Sequence, residues 1–205
     1  MIALINFENE LRSKGFKSIA CIDEVGRGCL LGDVVACAVI MPEGLIIEGV
    51  RDSKKLSPKK RELLYDIIIE KAIGYGFGRV DSNIIDKINI KESTRLAMKI
   101  AVENIKDSYG NSIKADFLLV DAETVYLDIP QVGIIKGDDK SHGIACASIL
   151  AKVYRDRMCL RWDEEFPGYN IKQHKGYGTK EHRENLNLLG VTEIHRKSFL
   201  KKILK

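Results

Sequence analysis

The sequence predicts an α/β fold, one mixed sheet flanked by helices with a small helical region at the C-terminus, and three features carry that expectation. Short apolar, β-prone runs alternate with segments of helical periodicity. A length of 205 residues suits one compact core with a modest appendage better than two full domains. Hydrophobic residues at 45% and charged residues at 30% supply enough apolar surface for that core and exclude a disordered chain.

In chain order, residues 6–14 can form a short helix, and SIACID (18–23) reads as a buried strand that breaks at Glu24 into VGRG. VVACAVIM (34–41) is a β-prone run ended by Pro42, and the GRGCLLGD connection makes the two strands a hairpin. Ser57 as N-cap and Pro58 at the first helical position start a helix that reaches Lys71. AIGYGFGRV (72–80) follows as a strand. Asn89, with Glu92 three residues on, opens a further helix whose Leu96, Ala97, Ile100, Ala101 and Ile105 recur at helical spacing. FLLVDA (117–122) is a short buried strand and VGIIKG (132–137) a final one. Ser141 caps a long helix over 142–162, whose small residues GIACASILA allow tight packing on a sheet. Pro167, Gly168 and the HKGYGT loop (174–179) separate this part from a helix at 180–189 and a basic tail. The division is therefore a core over 1–168 and a loop and helical region over 169–205, packed on the core as one structural unit.

Lys and Arg total 33 against 29 Asp and Glu, a net charge of +4 that hints only weakly at an anionic partner. The distribution says more. Basic residues crowd in 51–61, 136–140 and 152–161, and from Lys172 to the Lys201, Lys202 and Lys205 tail. They could line a phosphate-binding face or simply form solvated helix surfaces. Five cysteines without a CxxC pair read as reduced core thiols. No charged leader precedes an apolar run at the N-terminus, and no apolar run reaches membrane-spanning length, so a cytoplasmic protein with no membrane partner is expected.

Asp23 and Glu24 close the first strand and Asp121 closes FLLVD. Successive strand side chains point to opposite faces, so Asp23 and Glu24 share a site on the condition that the strand stops there. Asp156, in the YRDR segment of the long helix, is placed to lean over the same end of the sheet. Oxygen-rich sites suit Mg2+ or Mn2+, and two such ions about 3.5–4 Å apart stabilise the attacking and leaving oxygens of an in-line phosphodiester displacement. Taken singly, Asp23 and Asp121 could be loop caps, Glu24 a surface group, and Asp156 the i,i+4 ion-pair partner of Lys152.

Gly26, Arg27 and Gly28 follow the acids directly, and two glycines around an arginine let backbone groups approach a sugar or phosphate; a tight turn is the alternative. RNA differs from DNA by the 2′-hydroxyl at each sugar, which exposed backbone groups can sense. Lys136 and Lys140 flank a helix N-terminus suited to phosphate, where Ser141 could serve simply as cap. In HKGYGTKEH, His174, Lys175, Tyr177 and Lys180 form a basic loop with an aromatic suited to stacking, unless the tyrosine is buried. Lys152 begins another basic stretch counted among the substrate contacts. Nucleotide-cofactor loops are excluded: Leu31 stands where GxGxxG needs glycine, and no GxxxxGK[ST] occurs. His142, His174, His182 and His195 lack zinc-site spacing.

Read in order, CIDEVGRG, DSKKLS, LLVDA, KGDDKSHGIACASILAKVYRDR, PGY, HKGYGTKEH and IHRKSF closely resemble type 2 ribonuclease H, the bacterial ribonuclease HII family, over nearly the whole chain. The resemblance implies a ribonuclease H-like core and a metal site of Asp23, Glu24, Asp121 and Asp156 holding Mg2+ or Mn2+, two ions once substrate is bound. It makes 1–168 a catalytic core and 169–205 a substrate-contacting region. It implies that Gly26, Arg27 and Gly28 read a ribonucleotide 2′-hydroxyl while Tyr177 packs on the neighbouring deoxyribose. Its substrates would be RNA–DNA hybrid and ribonucleotide-containing duplex DNA, cut on the 5′ side of a ribonucleotide to leave 3′-hydroxyl and 5′-phosphate ends. No protein partner is required, and a monomer is expected. Three segments depart from the family pattern: GRGCLLGDV for GRGPLAGPV, VDA for VDG, and DDKSHGIACAS for DAKSLSIAAAS. A non-catalytic nucleic-acid-binding protein on this fold would show a lost acid, and none is lost. Another metal-dependent nuclease on the fold would not need the GRG and GYG segments.

Overall fold

The computed structural model describes residues 6–51, 53–201 and 203; Asp52 of DSKKLS, and Lys202 and Lys205 of the basic tail, lie outside the described residues. Five strands form one mixed sheet: β1 (Ile19–Val25), β2 (Val34–Ile40), β3 (Gly74–Val80), β4 (Phe117–Asp121) and β5 (Gln131–Ile134). Their order is β3-β2-β1-β4-β5. β1 pairs antiparallel with β2 and parallel with β4, so the expected hairpin is present and β1 lies at the centre. β2 is buried at every position, which explains its unbroken apolar run: such a strand needs cover on both faces.

Helix α3 (Ser82–Glu103) covers one face, packing Ala97, Met98 and Ala101 on Ala20, Ile22, Ala36 and Ala38. Its backbone lies so close to β3 that a Cβ at Gly78 would overlap the Ala97 carbonyl, which accounts for the glycines of GYGFG. The other face carries α2 (Pro58–Lys71) and α5 (His142–Glu165), packed on Cys21, Cys37 and Val39. A third cluster ties Leu30 and Leu31 of the GRGCLLGD connection to Cys159 of α5, Ile171 of α6 (Ile171–His174), Leu186 of α7 (Lys180–Leu189) and Leu200 of α8 (Lys197–Leu200). All five cysteines are free and buried, as the sequence suggests. Among the described residues no helix is long and apolar enough to cross a membrane.

Three boundaries differ from expectation. β1 continues through Glu24 to Val25 instead of breaking at Glu24. The helix expected from Asn89 begins seven residues earlier at Ser82, capped by Asp81, whose side chain accepts from the Ile84 N–H at 2.9 Å. Asn89 is nonetheless a cap. It sits at φ 66° within α3 and accepts from the Lys91 and Glu92 N–H groups at 2.9 and 3.2 Å, starting the second half of a kinked helix. The strand expected over 132–137 runs from Gln131 to Ile134, and Lys136 turns at φ 57° into the short α4 (Gly137–Lys140).

Candidate active site

β1 and β4 run side by side only as far as the pair Ile22 and Val120. One residue further, Asp23 on β1 and Asp121 on β4 point to the face covered by α5, and Glu24 follows. What opens the site is thus the end of the β1–β4 pairing, since β1 itself continues along β2. Asp23 is buried, its Oδ1 accepts from the Glu24 N–H at 2.7 Å, and Ser148 of α5 bonds its carboxylate. Burial, then the charges of Glu24 and Asp121, push the Asp23 carboxyl well above the usual carboxylate range. Burial also raises Glu24 against the pull of Arg27, whose guanidinium lies 3.2 Å away, and Glu24 Oε2 is buried without a partner. Asp121 is raised by burial and held at 2.7 Å by the Gly137 N–H at the start of α4.

A fourth acid joins this group, and it is Asp138. It is buried in α4, its charge acts on Asp121, and its carboxylate stands 3.5 Å from Lys54 Nζ. Asp156, expected here, is held elsewhere. Ser148 is the α5 residue over Asp23, and eight further residues at about 1.5 Å each carry Asp156 about 12 Å along the helix. There it pairs with Lys152 at 2.7 Å and faces Arg61 at 3.7 Å. The segment GDDKSHG was read for its lysines and its cap; the signal for Asp138 lay in an acid at a sharp turn immediately after a strand.

Four carboxylates, one with an orphaned buried oxygen, form an all-oxygen donor set that fits a hard divalent cation such as Mg2+ or Mn2+. Among the described residues no three potential ligands stand close enough together to hold an ion as they are placed.

The GRG and GYG segments lie side by side. Leu30 N–H donates to the Gly176 carbonyl at 2.8 Å, and Cys29 bridges Tyr177 in antiparallel fashion. Arg155 of α5, fully buried, ties them by donating to the carbonyls of Asp33 (3.0 Å), Leu31 (3.2 Å) and Lys175 (2.8 Å). Gly26, at φ 92°, has Arg155 Cδ 2.9 Å from where a Cβ would stand, so no side chain fits. A second buried arginine, Arg196, donates to Gly32 and Arg27 carbonyls at 2.9 and 3.0 Å. Neither arginine was legible as a loop clamp in the sequence. The loop closes with Cys29 and Asp33 in place, the latter 3.3 Å from Arg79 Nε. Gly28 is exposed with open space around it, and Tyr177 stands on the rim, 40% exposed.

Beneath Tyr177 lie three buried histidines, His182 hydrogen-bonded to His195 and stacked on His174. His182 Nδ1 faces the Tyr177 carbonyl at 2.9 Å and must donate, so its Nε2 accepts from His195 Nε2 at 3.2 Å. His195 Nδ1 in turn accepts from the Thr192 N–H at 3.0 Å. His174 donates from Nε2 to the Tyr169 carbonyl and accepts at Nδ1 from the Gly176 N–H. Burial lowers both His182 and His195 to about 4.

Of the remaining expected contacts, Lys136 and Lys140 are exposed around α4, Lys152 is half-buried against Asp156, and Lys175 is half-buried beside the GRG loop. Ser141 is not at the surface. It is fully buried, its hydroxyl donating to Glu8 Oε1 at 2.7 Å and accepting from the Ile144 N–H at 3.1 Å, so it caps α5 and has nothing left for a phosphate.

Residues 20–202 match the sequence model of the family described as Ribonuclease HII. Two relatives of that description, from Alkaliphilus metalliredigens and Alkaliphilus oremlandii, are 59% and 60% identical over 201 and 200 residues, each covering 98% of both chains. Among solved structures, ribonuclease H2 from Pyrococcus horikoshii superposes with TM-score 0.74 at 24% identity, covering 91% of this chain and 97% of that one. The ribonuclease HII of Archaeoglobus fulgidus, solved in complex with PCNA, gives 0.72 at 25% identity with the same coverage. A ribonuclease HIII (Bst-RNase HIII) in complex with Mn2+ shares the fold at TM-score 0.66 and 16% identity, covering 95% of this chain and 72% of its own.

Proposed function

The chain belongs to the ribonuclease HII family and is a divalent-metal-dependent endoribonuclease of RNA–DNA hybrids; on that premise we propose that it also cuts 5′ of single ribonucleotides in duplex DNA, using Asp23, Glu24, Asp121 and Asp138. The observation that carries this reading is the convergence of buried, mutually destabilised carboxylates where β1 and β4 part, beside the paired GRG and GYG loops.

In this reading the four carboxylates would hold Mg2+ or Mn2+, two ions once substrate is bound. Bound there, such ions would neutralise charge at the scissile phosphate and lower the pKa of a coordinated water, so that it gives up a proton and the hydroxide attacks. The protein's own part is positioning. The Gly137 N–H fixes the Asp121 oxygen and Ser148 fixes Asp23, so the donor set is aimed before substrate arrives. Gly28, with open space around it, lets the Gly26, Arg27 and Gly28 backbone meet a 2′-hydroxyl, and the Tyr177 ring lies against the next deoxyribose. Lys136, Lys140 and Lys175 contact phosphates. The products are 3′-hydroxyl and 5′-phosphate ends, and the role is in replication and ribonucleotide repair. The protein acts as a cytoplasmic monomer without an obligatory protein partner.

The deciding experiment uses end-labelled duplex DNA with one ribonucleotide, an all-DNA control and a continuous hybrid, each with Mg2+, Mn2+ or chelator. Metal-dependent cutting immediately 5′ of the ribonucleotide, with the DNA control intact, is expected. Cutting of the continuous hybrid alone would remove the junction-sensing role of GRG and Tyr177. Full activity in Asp138→Asn would remove that acid from the metal set.

A further inference from the structure

Ser148, Lys152 and Asp156 follow one another at four-residue spacing on α5 and so form a single stripe leading away from Asp23. The stripe ends in a cleft of about 490 Å³ between α2, α5 and α6. Five basic side chains line it, Arg61, Lys152, Arg157, Lys172 and Lys175, against the carboxylates of Glu62 and Asp156. That imbalance suits a polyanion.

The floor of the cleft is rigid. Arg61 is 9% exposed, and one of its terminal nitrogens donates to the carbonyls of Ser53 (3.0 Å) and Leu56 (2.5 Å), which leaves the other turned to Asp156. Asp156 thus holds a buried arginine and Lys152 together at one point. The walls are exchangeable. Arg157 pairs with Glu62 at 2.6 Å with both partners about half exposed, and Lys172 reaches Asp163 at 3.4 Å from a largely solvated position. Such surface pairs are worth little and can be traded for a phosphate. Lys175, on the same wall, leads directly into the Tyr177 loop.

We infer that this cleft seats the sugar-phosphate backbone of the substrate duplex away from the cut, with Asp156 as the positioning residue that holds Arg61 and Lys152 for it. The inference rests on the substrate proposed above. One strand advances about 3.4 Å per nucleotide, so a cleft about 12 Å along α5 from Asp23 meets the backbone about three to four nucleotides from the scissile position.

The test measures binding by fluorescence anisotropy, with chelator present, on a duplex carrying one ribonucleotide and long arms on both sides, and on two duplexes each with one arm cut to two base pairs. For the Arg157→Ala/Lys172→Ala protein the salt dependence of log Kd on the long duplex is expected to flatten by about 1–2 in slope, with KM for cleavage raised and kcat retained. On one of the shortened duplexes the wild type should lose the same affinity and the double variant lose nothing further. Asp156→Asn should raise KM while leaving kcat and the metal titration midpoint in place, and Asp156→Glu should recover most of the KM. An unchanged slope and KM in the double variant, or a collapse of kcat and metal affinity in Asp156→Asn, would overturn the inference while leaving the nuclease reading intact. A wild type that cuts no ribonucleotide-containing duplex overturns both.

Discussion

The carboxylate end of β1 and β4 and the histidine chain beneath Tyr177 both bury titratable groups, yet they are built on opposite terms. Each histidine ring nitrogen has a partner, and the geometry admits one pattern of donors and acceptors. The carboxylates repel one another, burial and that repulsion push Asp23 well above the usual carboxylate range and raise Glu24 and Asp121, and Glu24 Oε2 is left unpaired. A satisfied polar cluster stabilises a fold; an unsatisfied one costs stability and is retained for something else that it binds. The first holds a loop in place and the second waits for a cation.

Removing one acid is the strongest way to break that contrast. Asp121→Asn should lower cleavage by more than about 100-fold in single-turnover assays, since it removes a charge that acts at the reacting centre. The same substitution should raise the melting temperature in chelator, because one repelling charge is gone, and should shrink the further rise on adding Mg2+. A drop in melting temperature in chelator would mean that Asp121 is chiefly structural.

His182→Phe tests the other half. It leaves His195 Nε2 without its partner and the Tyr177 carbonyl with the Thr179 N–H alone, and chemical denaturation should show a loss of about 2 kcal/mol. Cleavage of a single ribonucleotide should suffer more than cleavage of a long hybrid, because the Tyr177 loop loses its support.

The histidines also give the fold an acid limit. His182 and His195 titrate near 4 in the folded chain against 6.5 ordinarily, so the unfolded chain takes up protons first as pH falls. The histidines' contribution to stability is therefore at its full value above pH 6.5, declines between 6.5 and about 4, and levels off below. A fall on the order of 1–3 kcal/mol across that window is expected in denaturation at stepped pH, and His195→Ala should flatten it.

The smallest effect concerns Ala122, which follows Asp121 at φ 51°, a conformation that costs a residue with a side chain about 1 kcal/mol or more. Ala122→Gly should raise stability by about 0.5 kcal/mol, the relief being partly offset by glycine's greater freedom when unfolded. No gain in calorimetry would show the strain to be absorbed locally.

The sheet and its covering helices were legible because burial leaves period-two and period-3.6 patterns in the sequence. The caps at Ser57 and Asn89 were legible too, though the kink at Asn89 hid the half-helix before it, whose cap is a lone aspartate. Asp23, Glu24 and Asp121 were legible as strand-end acids. Asp156 was named and Asp138 was not, because spacing along α5 does not say which turn lies over the strand ends; Ser148 is the α5 residue over Asp23. Ser141 reads first as a cap, and its burial removes the ligand alternative. Arg155 and Arg196 carry no mark of burial in their neighbours, since an arginine satisfied by backbone carbonyls has no required sequence partner.

One of those arginines sets how the proposed junction reader works. Arg155 grips carbonyls on both sides of the Cys29–Tyr177 bridge, so the gap between Gly28 and the Tyr177 ring is set by the helix that carries Arg155. The two jaws are therefore one rigid piece, and a substrate whose ribose and deoxyribose do not fall at its fixed spacing cannot engage both at once.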